Sequence, residues 1–178
     1  MTVRTVLTWP DKRLLATAHP VEAVDAPIRA LVDDMFETMY AEKGVGLAAT
    51  QIGVPLEVVV MDCGKKDAPM PFALINPRIV EREGAIVWSE GCLSLPGVTA
   101  EVERAERVVV EYLDRDGQAM RMQASGLLAV CIQHELDHLD GQLYVDRLGK
   151  LERLSVLSDY ERNRSEPRRV AEGAEEAR

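Results

Sequence analysis

The chain has 178 residues, a length that suits one domain with a substantial core, and only 4% of them are aromatic. The core must therefore be built mainly from aliphatic side chains, within a hydrophobic fraction of 47%. With 30 acidic residues against 21 basic ones, the formal net charge is -9, which argues against a direct reader of nucleic acid.

Cysteine usage and apolar runs indicate where the protein works. The chain has 3 cysteines without framework spacing, which argues against a disulfide scaffold and favours a reducing compartment. The N-terminal segment lacks the apolar run of a signal peptide, and no stretch is long enough to span a membrane. We therefore expect a cytoplasmic protein with no membrane partner.

The first predicted helix runs from Asp25 to Glu42, where apolar residues recur at helical spacing. Asp25 suits the N-cap, Pro27 suits the first turn, and Gly44 suits the position just beyond the C-terminus. The glycine-rich segment 44–53 follows, and its small residues would let the backbone approach another group closely.

Strands are predicted in the middle of the chain, where β-branched and apolar residues concentrate. Asp114–Gly117 has the composition of a hairpin turn, so the segments on either side of it should pair. The predicted strands are residues 57–61, 72–75, 78–88 (less regular), 101–113 and 118–123.

A second helix is predicted from Gly126 to Leu139, with Ser125 as its cap and Gly141 closing it. Its first half is apolar on nearly all sides, which indicates a helix buried in the middle of the fold. A third helix should start near Asp146, with leucines at 148, 151, 154 and 157. We expect one catalytic domain over residues 1–162 and a polar, disordered tail over 163–178.

The second helix carries the pattern HExxH, formed by His134, Glu135 and His138. Residues four apart share a helix face, so both imidazoles can reach one metal ion, and Glu135 is placed to exchange a proton with water there. This combination is typical of metal-assisted hydrolysis. The chain has 3 histidines, and His19 is far away in sequence, so a third ligand must be a cysteine or a carboxylate.

The residues alone leave three cysteines open as the third ligand. Cys131 lies three positions before His134 on the same helix, but its apolar surroundings suit a small core residue. Cys63 follows a predicted strand. Cys92 lies in an irregular segment between Gly91 and a Leu-Ser-Leu-Pro turn, and this constrained setting favours it without excluding the others.

An apolar wall continues from the histidines along the second helix. Leu127 and Cys131 lie on the face of His134 and His138, and Val130 is beside them. This wall is either ordinary core or the pocket for a substrate side chain.

Three segments together resemble the motifs of the peptide deformylases. They are Gly44–Gln51 (GVGLAATQ), Glu90–Ser94 (EGCLS) and Gln133–Leu139 (QHELDHL). Their order and spacing are similar to those of that family, and the likeness extends from about Val6 to Leu148.

The resemblance implies roles for particular residues. Cys92, His134 and His138 would bind the metal, and Glu135 would be the acid/base; Gln51 and the backbone N–H of Leu93 would bind the oxyanion. The substrate would contact Val45, Gly46, Leu127, Val130 and Cys131. The family fold is α+β, with antiparallel strands packed around a central buried helix that carries HExxH, plus a C-terminal helix.

The implied reaction is removal of the N-formyl group from formyl-methionine at the start of newly made polypeptides, which releases formate. The resemblance points to one divalent ion, Fe²⁺, although the ligand set also suits Zn²⁺, Ni²⁺ or Co²⁺. Nascent formyl-methionyl peptides are the expected partner, with transient ribosome contact as a further one. Thr99 stands where well-known bacterial members have an arginine near the substrate backbone.

Two other interpretations compete with this one. The first is an HExxH peptidase, which would take a ligand downstream of the helix, from Asp146 or Glu152. The second is a non-catalytic relative that binds a metal or a peptide. Such a protein would be expected to lack Glu135, Gln51 or Cys92, and the chain has all three.

Overall fold

A computed structural model describes residues 2–165 of the chain. The helices are α1 (Ala26–Ala41), α2 (Gly126–Leu139) and α3 (Lys150–Ser165), with short 3₁₀ helices at Lys12–Leu15, Ala49–Ile52 and Tyr144–Arg147. The strands are β1 (Gly46–Ala48), β2 (Val58–Asp62), β3 (Pro71–Glu83), β4 (Ile86–Cys92), β5 (Leu95–Arg104), β6 (Arg107–Leu113) and β7 (Ala119–Ser125).

The strands form two antiparallel sheets. Five of them pair in the order β1-β2-β3-β6-β7, and β4 pairs with β5 in a separate two-stranded sheet. The predicted α+β class with antiparallel strands is confirmed.

Two predicted strands were too long, because each contains the point where the chain changes sheets. The segment predicted as 78–88 breaks at Gly84, whose φ of 69° ends β3 before β4 begins. The segment predicted as 101–113 breaks between β5 and β6, where Gln133 of α2 bonds both backbone groups of Ala105 at 2.9 and 3.0 Å. The side chain of Gln133 thus provides hydrogen-bond partners for the backbone N–H and C=O of Ala105, at the point where the chain has left one sheet and has not yet entered the next.

The large sheet lies between α1 and α2, and the alternation of β2 shows how. Val58 and Val60 pack with α1, while Val59 and Met61 pack with α2. Successive side chains of a strand point to opposite faces, so β2 is buried on both. The helix with the histidines is therefore covered, as its apolar sequence indicates.

The two ends of α1 are formed differently from each other. Asp25 caps the N-terminus as predicted, accepting the N–H of Ile28 at 3.1 Å. At the C-terminus, Lys43 and not Gly44 takes the left-handed conformation, with φ of 58°. Gly44 donates its N–H to Met39 at 2.9 Å. The absence of a side chain at Gly44 serves another contact, because a Cβ there would lie 2.8 Å from Leu93.

Helix α2 has the predicted bounds, although its start differs in detail. Ser125 occupies the N-cap position without a capping hydrogen bond from its side chain. Gly141 follows the helix with φ of 70°, and a Cβ there would lie 2.5 Å from the carbonyl oxygen of Leu15. Two requirements, the backbone conformation and this close approach, therefore favour glycine at position 141.

Helix α3 begins at Lys150, later than the predicted start near Asp146, which lies in the 3₁₀ helix. It buries Val156 and Tyr160, while Leu151 and Leu154 are 83% and 54% exposed. The helix continues to Ser165, past the expected boundary at residue 162. The rest of the expected tail, 166–178, lies outside the described residues. Within residues 2–165, each helix is too short or too polar to cross a bilayer.

Candidate active site

The side chains of Cys92, His134 and His138 meet at the end of β4 and the C-terminal half of α2. One ligand atom from each residue lies within 4.8 Å of the others, and Cys92 Sγ is 3.2 Å from His138 Nε2. Among the described residues, this is the one cluster of His, Cys, Asp or Glu side chains found close enough to hold an ion. The rival downstream residues take no part: Asp146 bonds Leu143 and Arg153, and Glu152 is exposed.

Cys92 is positioned by the tight connection between β4 and β5. Cys92 pairs with Leu95 across a two-residue turn. The turn lies beside the Cys92 sulfur, which faces α2. The N–H of Ser94 donates to the sulfur at 3.4 Å and Gln51 Nε2 donates at 3.6 Å. Burial acts to raise the pKa of Cys92, but the neighbouring His138 and His134 lower it well below its usual value. The surroundings thus favour a thiolate, which is the metal-binding form of cysteine.

A buried ionic network lies behind His134. Glu90 Oε2 is 2.7 Å from His134 Nδ1, which leaves the other ring nitrogen for an ion. Arg104 donates to both oxygens of Glu90 at 2.7 and 2.9 Å and to Asp137 at 2.6 Å. Arg147 donates to Asp137 from the far side, at 2.8 Å. Each charge in this network has an opposite charge beside it, so the network can fix the orientation of the imidazole.

Glu135 follows His134 directly on α2, and its surroundings differ from those of Glu90. Its side chain is buried, and Oε2 has no hydrogen-bond partner among the described residues. Burial raises the pKa of Glu135 to about 7, and the two histidines oppose that shift only in part. Gly46 makes room for this carboxylate, because a Cβ at that position would lie 2.3 Å from Oε1. A carboxyl group with this pKa can exchange a proton near neutral pH.

Gln51 is fixed beside Cys92 by hydrogen bonds at both ends of its amide. Its Oε1 accepts the N–H of Ala48 at 2.9 Å, and its Nε2 donates to Ser94 Oγ at 3.1 Å as well as to the cysteine sulfur. This pattern sets the amide with its NH₂ group toward the cluster. Leu93, in the turn after Cys92, lies next to the same space.

A cavity of about 400 Å³ opens in front of the cluster. The residues predicted to contact substrate all line it, namely Val45, Gly46, Leu127, Val130 and Cys131. Cys92, His134, Glu135, Gln51 and Leu93 line it too, whereas Thr99 is exposed on β5 opposite Gly91.

Trp88 also lines the cavity, and the sequence reasoning missed it. The long strand predicted over 78–88 ended at this residue, which hid its relation to the cysteine. Counting back by twos from Cys92 through Glu90 reaches Trp88, so a period-two count would have placed it on the same face.

The other two cysteines lie apart from the ligand cluster. Cys131 is buried in the cavity wall with its sulfur 3.7 Å from the carbonyl oxygen of Val45. Cys63, just after β2, is half-buried and packs against the apolar cluster that contains Cys131.

The fold and the site define a class first. An antiparallel α+β domain whose buried helix presents two histidines and a glutamate beside a cysteine is built as a metal-dependent hydrolase. The family model described as polypeptide deformylase matches residues 3–154. The peptide deformylase of Alkalilimnicola ehrlichii is 52% identical over 162 residues, which cover 91% of each chain. This chain belongs to the polypeptide deformylase family.

Solved structures agree with that assignment. A peptide deformylase from Legionella pneumophila superimposes with a TM-score of 0.84 at 44% identity, covering 93% of this chain and 100% of the other. The peptide deformylase from Ehrlichia chaffeensis in complex with actinonin gives a TM-score of 0.86 at 41% identity, again covering 93% and 100%. The predicted enzyme class is confirmed, and nothing in these likenesses supports a peptidase or a non-catalytic relative.

Proposed function

We propose that the protein hydrolyses the N-formyl group of formyl-methionine at the start of newly made polypeptides and releases formate. The observation that carries this proposal is the meeting of Cys92, His134 and His138 beside an apolar cavity lined by Glu135, whose Oε2 has no hydrogen-bond partner among residues 2–165. In a protein that only binds a peptide, this arrangement would lower stability without serving a reaction, because a buried carboxylate without a partner costs stability.

The residues present fit one divalent metal ion. Two imidazole nitrogens and a thiolate are three protein ligands, the number typical of a catalytic site with an open position. A divalent ion held there would supply a nucleophile by lowering the pKa of water. We propose Fe²⁺, following the family resemblance, while the donor set also suits Zn²⁺, Ni²⁺ and Co²⁺.

Glu135 is proposed as the proton carrier. Its carboxylate would accept a proton from the attacking water and later give it to the departing α-amine of methionine. The pKa of about 7 supports both halves of this cycle, because the group can be charged in one step and neutral in the next.

Gln51 and Leu93 are proposed to stabilise the negative charge that develops on the formyl oxygen. The NH₂ group of Gln51 is held toward the cluster, and the turn that carries the N–H of Leu93 borders the same cavity. Two donors fixed before the reaction lower the barrier most, since they need no rearrangement as charge develops.

The methionine side chain is proposed to occupy the apolar part of the cavity. Val130 and Cys131 are buried in its wall, Leu127 and Val45 are partly exposed at its edge, and Trp88 adds an aromatic surface. An unbranched thioether fits such a space through its flexibility. We further propose that actinonin, which is bound by the Ehrlichia chaffeensis relative, binds in this cavity too.

The direct test is formate release by protein purified without oxygen, with metal content measured on the same sample. We expect about one divalent ion per chain and turnover of a formyl-methionyl peptide. The matched substrate is the same peptide without the formyl group, which should remain intact at its internal bonds. Cleavage of that control at an internal bond would favour the peptidase interpretation. A metal-loaded protein that released no formate would refute the proposal. Contact with the ribosome stays a prediction.

A further inference from the structure

Cys63 and Cys131 lie on facing surfaces beneath the cavity. Val59 and Met61 of β2 point toward α2, and Cys63, just beyond the end of β2, packs against the same apolar cluster. Cys131 comes from α2 and packs in the same apolar cluster. The carbonyl oxygen of Val45 accepts the N–H of Asp62 at 2.9 Å and the Cys131 thiol at 3.7 Å, so the residue before Cys63 and Cys131 itself share one contact.

The pair has one accessible and one enclosed sulfur. Cys63 is half-buried, whereas Cys131 is 5% exposed. The neighbouring Cys131 thiol lowers the pKa of Cys63, although burial opposes this, so Cys63 is the more nucleophilic thiol. The accessible member of the pair is thus also the reactive one.

The backbone around Cys63 is held in place by a tight loop. Asp62 Oδ1 accepts the N–H of Gly64 at 3.0 Å and that of Met70 at 2.9 Å. A Cβ at Gly64 would lie 2.5 Å from the carbonyl oxygen of Ala68, so the loop folds closely on itself. This loop presents Cys63 to Cys131 in a defined position.

We propose that Cys63 and Cys131 form an oxidisable dithiol that hydrogen peroxide converts into a reversible disulfide, and that this bond impairs substrate binding in the adjoining cavity. The formation of the bond does not depend on the proposed function, but its consequence for turnover rests on it.

The chemistry needs one equivalent of peroxide. The Cys63 thiolate attacks the peroxide, an S–O bond forms while the O–O bond breaks, and hydroxide leaves and takes up a proton. The Cys131 sulfur then attacks the sulfenic acid, an S–S bond forms, and the oxygen departs as water with the thiol proton. Two thiols and one peroxide thus give one disulfide and two waters, with sulfur oxidised and peroxide reduced.

The consequence for activity follows from what Cys131 touches. Its sulfur borders Gly46, where an added Cβ would lie 2.8 Å from it, and Gly46 also accommodates Glu135. A covalent bond holds two sulfurs closer than a packing contact does, so oxidation draws Cys131 away from this contact and reshapes the wall. A displacement of about 1 Å near a reacting group can cost about 10²-fold in rate, so we expect kcat/KM to fall at least about tenfold.

The test uses full-length protein loaded with Ni²⁺ and treated briefly with a small excess of hydrogen peroxide. Remaining thiols are then alkylated in denaturant, and peptides are mapped by mass without reduction. We expect a cross-linked pair of peptides that contain Cys63 and Cys131 and lack two hydrogens, with Cys92 alkylated. Thiol reductant should remove the cross-link and restore kcat/KM.

The matched control is Cys63→Ser, which lies outside the cavity wall and should keep basal activity. This variant should lose little activity under the same treatment. Absence of the cross-linked peptides would overturn the disulfide. A loss of activity in Cys63→Ser equal to that of wild type, or a loss that reductant does not reverse, would overturn its effect on the cavity. If the untreated protein released no formate, the proposed function would be refuted. The peptide mapping would still show whether the disulfide forms.

Discussion

The charged groups beside the two histidines differ in whether an opposite charge contacts them. Behind His134, Glu90 and Arg104 are almost fully buried, and each has an opposite charge in contact. In front, Glu135 is just as enclosed, yet its Oε2 has no partner among residues 2–165. The contrast teaches that burial alone does not mark a reactive group. The paired carboxylate contacts the ring of His134 and is expected to hold it in place, whereas the unpaired one is proposed to move a proton.

The expected cost of a substitution to the free energy of unfolding therefore differs between Glu90 and Glu135. A buried ion pair loses hydration, and removing one partner from it costs about 3–5 kcal/mol because the other charge remains buried. Changes at Glu90 should therefore affect stability and metal binding together. A change at Glu135 removes a carboxylate whose Oε2 has no partner among residues 2–165, so it should leave stability intact.

The largest effect is expected from Cys92→Ala, which removes one of the three proposed metal ligands. The variant should lose its metal and with it all measurable formate release. Cys63→Ala and Cys131→Ala are the matched controls and should both retain metal, as elemental analysis after gel filtration would show. Retention of the ion by Cys92→Ala, with loss in Cys131→Ala, would reverse the ligand assignment.

Glu135→Gln should come next, with turnover reduced by about 10²–10⁴-fold, the range for loss of a general acid/base. Metal content and melting temperature should match wild type, because the side chain is proposed to carry protons without binding the ion. The matched control is Glu152→Gln on the exposed surface of α3, which should be indistinguishable from wild type. Substantial formate release by a clean Glu135→Gln preparation would remove the role assigned to it.

Glu90→Gln should weaken metal binding about 10–100-fold, the range for groups that orient a metal-binding histidine. It should also lower the melting temperature, because Arg104 loses a full opposite charge. Glu83→Gln, which breaks only an exposed pair with Arg107, provides the control and should change stability by less than about 1 kcal/mol. Unchanged metal affinity in Glu90→Gln would show that His134 needs no orienting partner.

The smallest effect concerns the substrate side chain. A formyl-Ser peptide should lose about 1.5–3 kcal/mol of the burial that methionine gains in the cavity. The value of kcat/KM for formyl-Ser should therefore be about 10–200-fold below that for formyl-Met. Equal values for the two peptides would mean that Leu127, Val130 and Cys131 are only core and that methionine binds elsewhere.

Local rules were sufficient where short-range contacts determine the structure. The bounds of α2 and the capping by Asp25 could be predicted because each depends on neighbours within one or two turns. The face shared by His134 and His138 follows in the same way from helix geometry.

The rest needed contacts between distant segments. Spacing could not choose among three cysteines, since Cys92 reaches the histidines only through the fold of the β4-β5 hairpin. The break between β5 and β6 depends on Gln133, a residue of α2 that no local pattern connects with Ala105. Trp88 was missed because the strand that carries it had been merged with its predecessor.

The proposed difference between Glu90 and Glu135 is tested most directly by turnover per bound metal ion. Wild type, Glu90→Gln and Glu135→Gln are saturated with the same divalent ion, and formate release is divided by the ion content of each sample. The account predicts that Glu90→Gln, once saturated, keeps turnover within about tenfold of wild type, whereas Glu135→Gln stays about 10²–10⁴-fold below it. Equal loss in the two variants, or a larger loss in Glu90→Gln, would contradict the division between a paired group that positions and an unpaired group that reacts.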